Sequence, residues 1–154
     1  MTVPFEFVAT GRPSSVNATT EKKHEWKRRV NHIARMKLRF AFTPGPIPPP
    51  YPHSVIVKIF YFPISRQYID IDNGLKHTID AISPPIIEND KAIQRIVVER
   101  FLPVPGAGLR APISLAPTLI KAFELASGAA RPGRRVQATA VKIEPYPAPG
   151  GTLW

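Results

Sequence analysis

"HSVIVKIFYF" (53–62) is the stretch on which the arrangement of the whole chain turns. Its β-branched and aromatic content reads as a strand, and as a central one. The segments after it set the topology. "PISRQYID" is a short loop, and a helix is predicted from Asp72 to about Ser83, where "PP" stops it. "KAIQRIVVERFLP" (91–103) then reads as another strand. Upstream, "TPGPIPPPYP" (43–52) is a stiff connector, because proline removes donors and clashes with a preceding turn. Before it, Thr20 and its neighbours can cap a helix over 21–42, with Trp26, Val30, Ile33 and Phe40 on one face. "VPFEFVA" (3–9) alternates as a strand does. Downstream come a short helix near 116–127 and a last alternating strand, "RVQATAVKIEP" (135–145). The order β-α-β-α-β-(α)-β predicts the α+β class: a single domain over 1–145, with a mixed four-stranded sheet packed with helices, and a loose tail at 146–154.

The composition narrows the function. The chain has 154 residues, which suits one domain with a modest core. It lacks cysteine, which excludes disulfides and thiolate metal sites and fits a reducing compartment. No apolar run is long enough to span a bilayer. "MTVPFEFVATGRP" lacks the charged start and apolar stretch of a secretory signal, so a cytoplasmic location is expected. A net charge of +10 and a pI of about 10.3 favour a polyanionic partner. Nucleic acid leads, with an anionic membrane surface as the alternative. Arg28, His32, Arg35 and Arg39 succeed one another at steps of four, three and four, forming one stripe on the first helix. That stripe suits phosphate contacts and equally suits a solvated face. Trp26 reads as a core anchor. The four histidines have no metal-ligand spacing, and "GAG" (106–108) lacks the residues of a phosphate-cradling loop.

The acids run against this basic background. The only aspartates are Asp70, Asp72, Asp80 and Asp90, all in one short window. On the second helix, Leu75, Ile79 and Ile82 share a core face, while Lys76 and Asp80 lie on a neighbouring flank that Asp72 opens. Asp70 ends the loop before it, and Asp90, in "IIENDKAI", could return to the same end of the sheet. Converging carboxylates repel one another unless a cation sits between them, and a hard cation such as Mg2+ suits two or three of them. Such a metal can polarise a phosphodiester and activate water, and Lys76 can steady the developing charge. Each acid also has a purely structural reading: Asp72 as a helix cap, Asp80 as an ion-pair partner of Lys76, Asp90 as a turn residue.

"DIDNGLK" (70–76), then Asp80, then "END" (88–90) ahead of a strand, resembles the signature of the RusA-type Holliday junction resolvases. "GRPSSVN" (11–17), with a basic helix after it, is similar to the family's N-terminal turn. The resemblance covers 3–102 and the final strand. It implies a small dimeric Mg2+-dependent endonuclease (Mn2+ being the alternative metal) that acts on four-way DNA junctions in recombination and repair. It makes Asp70, Asp72 and Asp90 the metal ligands and Lys76 the catalytic lysine. Asn73 would orient Asp70, and Asp80 would support Lys76. Arg28, Arg35, Arg39 and Arg66 are the expected DNA contacts, Arg66 being the only basic residue in the loop before the first aspartate. The segment 103–134 reads as an insertion whose "ARPGRR" end is a solvated loop or a further phosphate contact. The rival readings are a non-catalytic nucleic-acid-binding module of the same fold, and a nuclease for other branched or single-stranded DNA.

Overall fold

The computed structural model describes residues 3–65, 71–101, 103–104, 108–109 and 116–147; within 71–82 the side chain of Asn73 is not described. Its centre is β2 (Val55–Phe62), and every one of its eight residues is buried. A strand with both faces covered is largely apolar on both, which is why its sequence does not alternate; its one charged residue, Lys58, is buried in an ion pair. β2 pairs antiparallel with β6 (Ala138–Pro145) on one side and parallel with β3 (Ile93–Arg100) on the other. β1 (Phe5–Thr10) adds antiparallel to β6, giving the order β1-β6-β2-β3. This is the mixed four-stranded sheet expected from the sequence.

Parallel neighbours need a crossover, and here it is α2 (Ile71–Ile82). α2 lies beside α1 (Thr20–Phe42) on one face of the sheet. Phe5, Phe7 and Ala9 of β1, Val55, Val57, Ile59 and Tyr61 of β2, and Val141 and Ile143 of β6 face these two helices. Leu75, Ile79 and Ile82 pack into that cluster, as their spacing predicts. The other face carries α3 (Pro117–Ser127) over Phe60, Phe62, Phe101, Ala138 and Ala140. Farther along that face, Glu144 sits between Lys58 and Lys142, each ammonium 2.8 Å from a carboxylate oxygen. Burial pushes the Glu144 carboxyl up, but the two ammonium partners outweigh it and hold its pKa below the ordinary value.

The structure departs from the sequence reading in four places. Phe40 is 73% exposed, and Trp26, Val30, Ala34 and Leu38 form the buried stripe of α1 instead. Those four residues step by four, and each step advances the wheel by about 40°, so by the last turn the stripe has rotated away from Phe40. Thr19 is the cap of α1, its side chain accepting from the Lys22 N–H at 3.4 Å. Asp72 is the second residue of α2 and therefore not its cap. The position ahead of the helix, Asp70, lies outside the described residues. Part of the segment read as an insertion forms a two-residue hairpin, β4 (Pro103–Val104) with β5 (Gly108–Leu109).

Candidate functional site

The first turn of α2 is fixed from within the core. The buried Trp26 Nε1 donates to Thr78 Oγ1 at 3.1 Å, and Thr78 donates in turn to the Gly74 carbonyl at 2.9 Å. Thr78 lies near the buried hydroxyl of Tyr61, whose pKa burial pushes up to about 12. Tyr61 is the next-to-last residue of β2, so the middle of α2 lies at the C-terminal end of that strand. Asp72 is six residues earlier, about 9 Å farther along the helix axis.

At that end, the flank predicted from the helical wheel is present. Lys76 is exposed, and its Nζ is 3.9 Å from Asp80 Oδ1. The other oxygen of Asp80 is 3.6 Å from Lys27 Nζ on α1, a residue the sequence reading did not single out. Asp80 thus stands between two ammonium groups, while Asp72 is exposed and makes no ion pair among the described residues. Exposed pairs of this kind contribute about 0–1 kcal/mol, so they orient Lys76 more than they stabilise the fold. Asp72 lies in the first turn of α2, where unpaired N–H groups carry partial positive charge.

Asp90 stands elsewhere. It lies in a single 3-10 turn (Asp90–Ala92) that Asn89 caps by accepting from the Lys91 N–H at 3.0 Å. β3 begins at Ile93, which pairs with Val55 at the start of β2. Ile86 N–H donates to the Ile82 carbonyl, and Ile87 bridges to Tyr51 just ahead of β2. α2 therefore runs from the C-terminal end of β2 to its N-terminal end, and Asp90 is at the far end. Val55 to Tyr61 alone spans about 20 Å. The expectation that Asp90 returns to the end of the sheet holding Asp72 is not met within one chain. A parallel strand must start level with its neighbour's start, and Asp90 is tied to that start by three residues. Among the described residues, no three His, Asp or Glu side chains are grouped to hold a metal. Asp70 and Arg66 lie outside the described residues.

The end of the sheet that holds Asp72 is also basic. Thr10, Phe62 and Ala138 share a register there. Gly11 comes next with a φ of 110°, which a side chain would strain, and its N–H donates to the Gln137 carbonyl at 2.8 Å. This turn and the start of α1 enclose a cleft of about 410 Å3, lined by Arg12, Ser14, Lys22 and Arg29 among others. Charge alone did not single these residues out, because a loop and a helix supply them jointly. Arg28, His32, Arg35 and Arg39 are all exposed along α1. Arg28, His32 and Arg35 border a groove of about 360 Å3 between α1 and α2, which Lys27 of α1 and Asp80 of α2 also line. Arg35 Nε donates to Asn31 Oδ1 at 2.9 Å, and Asn31 Nδ2 donates to the Ala81 carbonyl at 3.0 Å, so this arginine is held toward α2. Within "ARPGRR", Arg135 Nε donates to the Ala126 carbonyl at 3.0 Å and closes the end of α3, while Arg131 and Arg134 stay exposed. No helix among the described residues is long and apolar enough to cross a membrane.

The sequence model of the family described as Endodeoxyribonuclease RusA matches residues 4–110, from the start of β1 through β5. No curated protein matches the chain.

Proposed function

The chain belongs to the RusA endodeoxyribonuclease family, and from that premise we propose that it is a Mg2+-dependent endonuclease that resolves four-way DNA junctions as a homodimer. The family match over 4–110 carries this reading, because it takes in every residue of the aspartate window. The geometry at the start of α2 supports it. Asp72, exposed in the first turn of α2, and Asp70, two residues earlier in the sequence, would offer hard oxygen donors of the kind Mg2+ takes while keeping several waters. Mn2+ would serve the same ligands. When bound there, the metal would polarise a phosphodiester oxygen and lower the pKa of a bound water.

The protein's own part is delivery and positioning. The cleft by Arg12, Lys22 and Arg29 and the stripe of Arg28, Arg35 and Arg39 would hold phosphates without reading sequence. Lys76 is exposed one turn from Asp72, where its ammonium can meet a phosphate oxygen as charge builds on it. Asp80 steers that ammonium from the next turn. Asn73 and Arg66 keep the roles that the family resemblance implies.

The test is cleavage of a synthetic four-way junction, with and without Mg2+, beside a linear duplex of the same sequence. Cutting of the junction alone, and only with metal, is the expected result. Asp72→Asn should stay folded and bind the junction yet fail to cut it. A wild-type chain that binds junctions but never cuts them with Mg2+ or Mn2+ would be a binding module. Equal cutting of other branched or single-stranded DNA would widen the substrate class.

A further inference from the structure

β1 is an edge strand, and nothing among the described residues pairs with its outer side. The Gly11 N–H donates to the Gln137 carbonyl, on the side of β6. Facing residues of an antiparallel pair exchange both bonds or neither, so Phe5, Phe7 and Ala9 are the residues of β1 that bond β6. The N–H and C=O groups of Glu6 and Val8 therefore point outward, about 6.8 Å apart along the strand. Thr10, next in that series, turns its carbonyl outward to Arg29 Nη1, 3.3 Å away.

The helices make this edge into a slot. Glu6 and Val8 lie on the floor of a groove of about 430 Å3. Its walls come from opposite faces of the sheet, with Met36, Lys37 and Phe40 of α1 on one and Thr118 and Lys121 of α3 on the other. Phe40 is 73% and Met36 37% exposed, so both are large apolar groups that the core does not use. Lys37, Lys121 and His32 give the rim positive charge. Glu6 is the only carboxylate among the described lining residues, and the Thr118 hydroxyl donates to it.

We propose that this slot takes one extended peptide segment of a partner protein, apolar and acidic in alternation, which adds to β1 as a further strand. The open backbone groups of Glu6 and Val8 supply the pairing, Met36 and Phe40 the apolar contact, and Lys37 and Lys121 the preference for carboxylates. Backbone donors and acceptors at strand spacing suit a peptide. They do not suit a nucleic-acid strand, whose phosphates would also meet the Glu6 carboxylate. A second copy of the chain does not fit, because it would bring its own α1 and α3 to the same edge and the two pairs of walls would collide. The slot depends on the sheet edge and its walls, whatever the chain does to DNA.

The probe is a blocked peptide of four valine–aspartate repeats, labelled for fluorescence anisotropy and titrated with the full chain. It should bind at least about tenfold more tightly than the valine–lysine analogue. Phe40→Ser and Lys121→Glu should each weaken it about tenfold or more without lowering the melting temperature. Arg131→Glu makes the same charge change at an exposed position outside the groove and should leave binding as it is. Methylating the backbone nitrogens of alternate peptide residues should abolish binding for one set and spare the other, since only one set faces β1. A peptide that does not bind, methylated sets that behave alike, or a Lys121→Glu chain that binds no worse than Arg131→Glu would overturn the strand addition. A single-stranded oligonucleotide that needs Phe40 and Lys121, bound by a chain that ignores the acidic peptide, would overturn it too and give the groove to nucleic acid.

Discussion

Lys76 and His77 are neighbours in sequence and opposites in setting. Lys76 projects into solvent on the flank it shares with Asp80. Replacing it with alanine should slow junction cleavage by something like 10²-fold with little change in binding, measured in single-turnover assays. His77 is 8% exposed, and its Nε2 finds no hydrogen-bond partner among the described residues. Burial lowers its pKa below 6.5. Asp80 opposes that shift, while Lys23, Lys27 and Lys76 add to it. The folded state thus prefers the neutral ring. The stability this contributes is complete above the ordinary pKa and is lost as pH falls through the lower folded value. Melting temperature should therefore drop below about pH 6.5, and His77→Gln should show a smaller drop over the same range.

At the scale of elements, the register of α2 on α1 rests on a polar contact inside an apolar cluster. Trp26 packs as the anchor its sequence position suggests, and Thr78 is the one acceptor for its buried N–H among the described residues. Thr78→Val keeps the shape and removes that acceptor. It should cost about 1–3 kcal/mol in chemical denaturation, the penalty of an unsatisfied buried donor. Phe40→Ser, on the exposed side of α1, should stay within about 0.5 kcal/mol of wild type in the same experiment. The contrast tests which stripe of α1 is the core one.

At the scale of the whole molecule, Arg12, Lys22 and Arg29 line the cleft beside the Gly11 turn, and Arg28, Arg35 and Arg39 are exposed along α1. Phosphate contacts release counterions, so junction affinity should fall steeply with salt. Replacing Arg28, Arg35 and Arg39 together by alanine should flatten the log–log slope by up to about 3, with no change in which junction sequence is preferred. An unchanged slope would make the stripe a solvated face, leaving binding to the cleft at Arg12, Lys22 and Arg29.

The sequence by itself determined the elements and the local flank. The β-branched and aromatic run of β2, broken only by Lys58, reads as a central strand. Helical spacing alone puts Leu75, Ile79 and Ile82 inward and Lys76 with Asp80 outward. These are short-range consequences of backbone period. The distance from Asp72 to Asp90 is of another kind. It depends on β2 and β3 being parallel, which sends α2 the length of the sheet before Asp90 is reached, and strand direction is a long-range pairing that no local pattern encodes. The Trp26–Thr78 hydrogen bond and the basic cleft at Gly11 are likewise decided only when segments distant in sequence pack. Tertiary structure placed Asp72 and Asp90, members of one acidic window in the sequence, at opposite ends of the sheet.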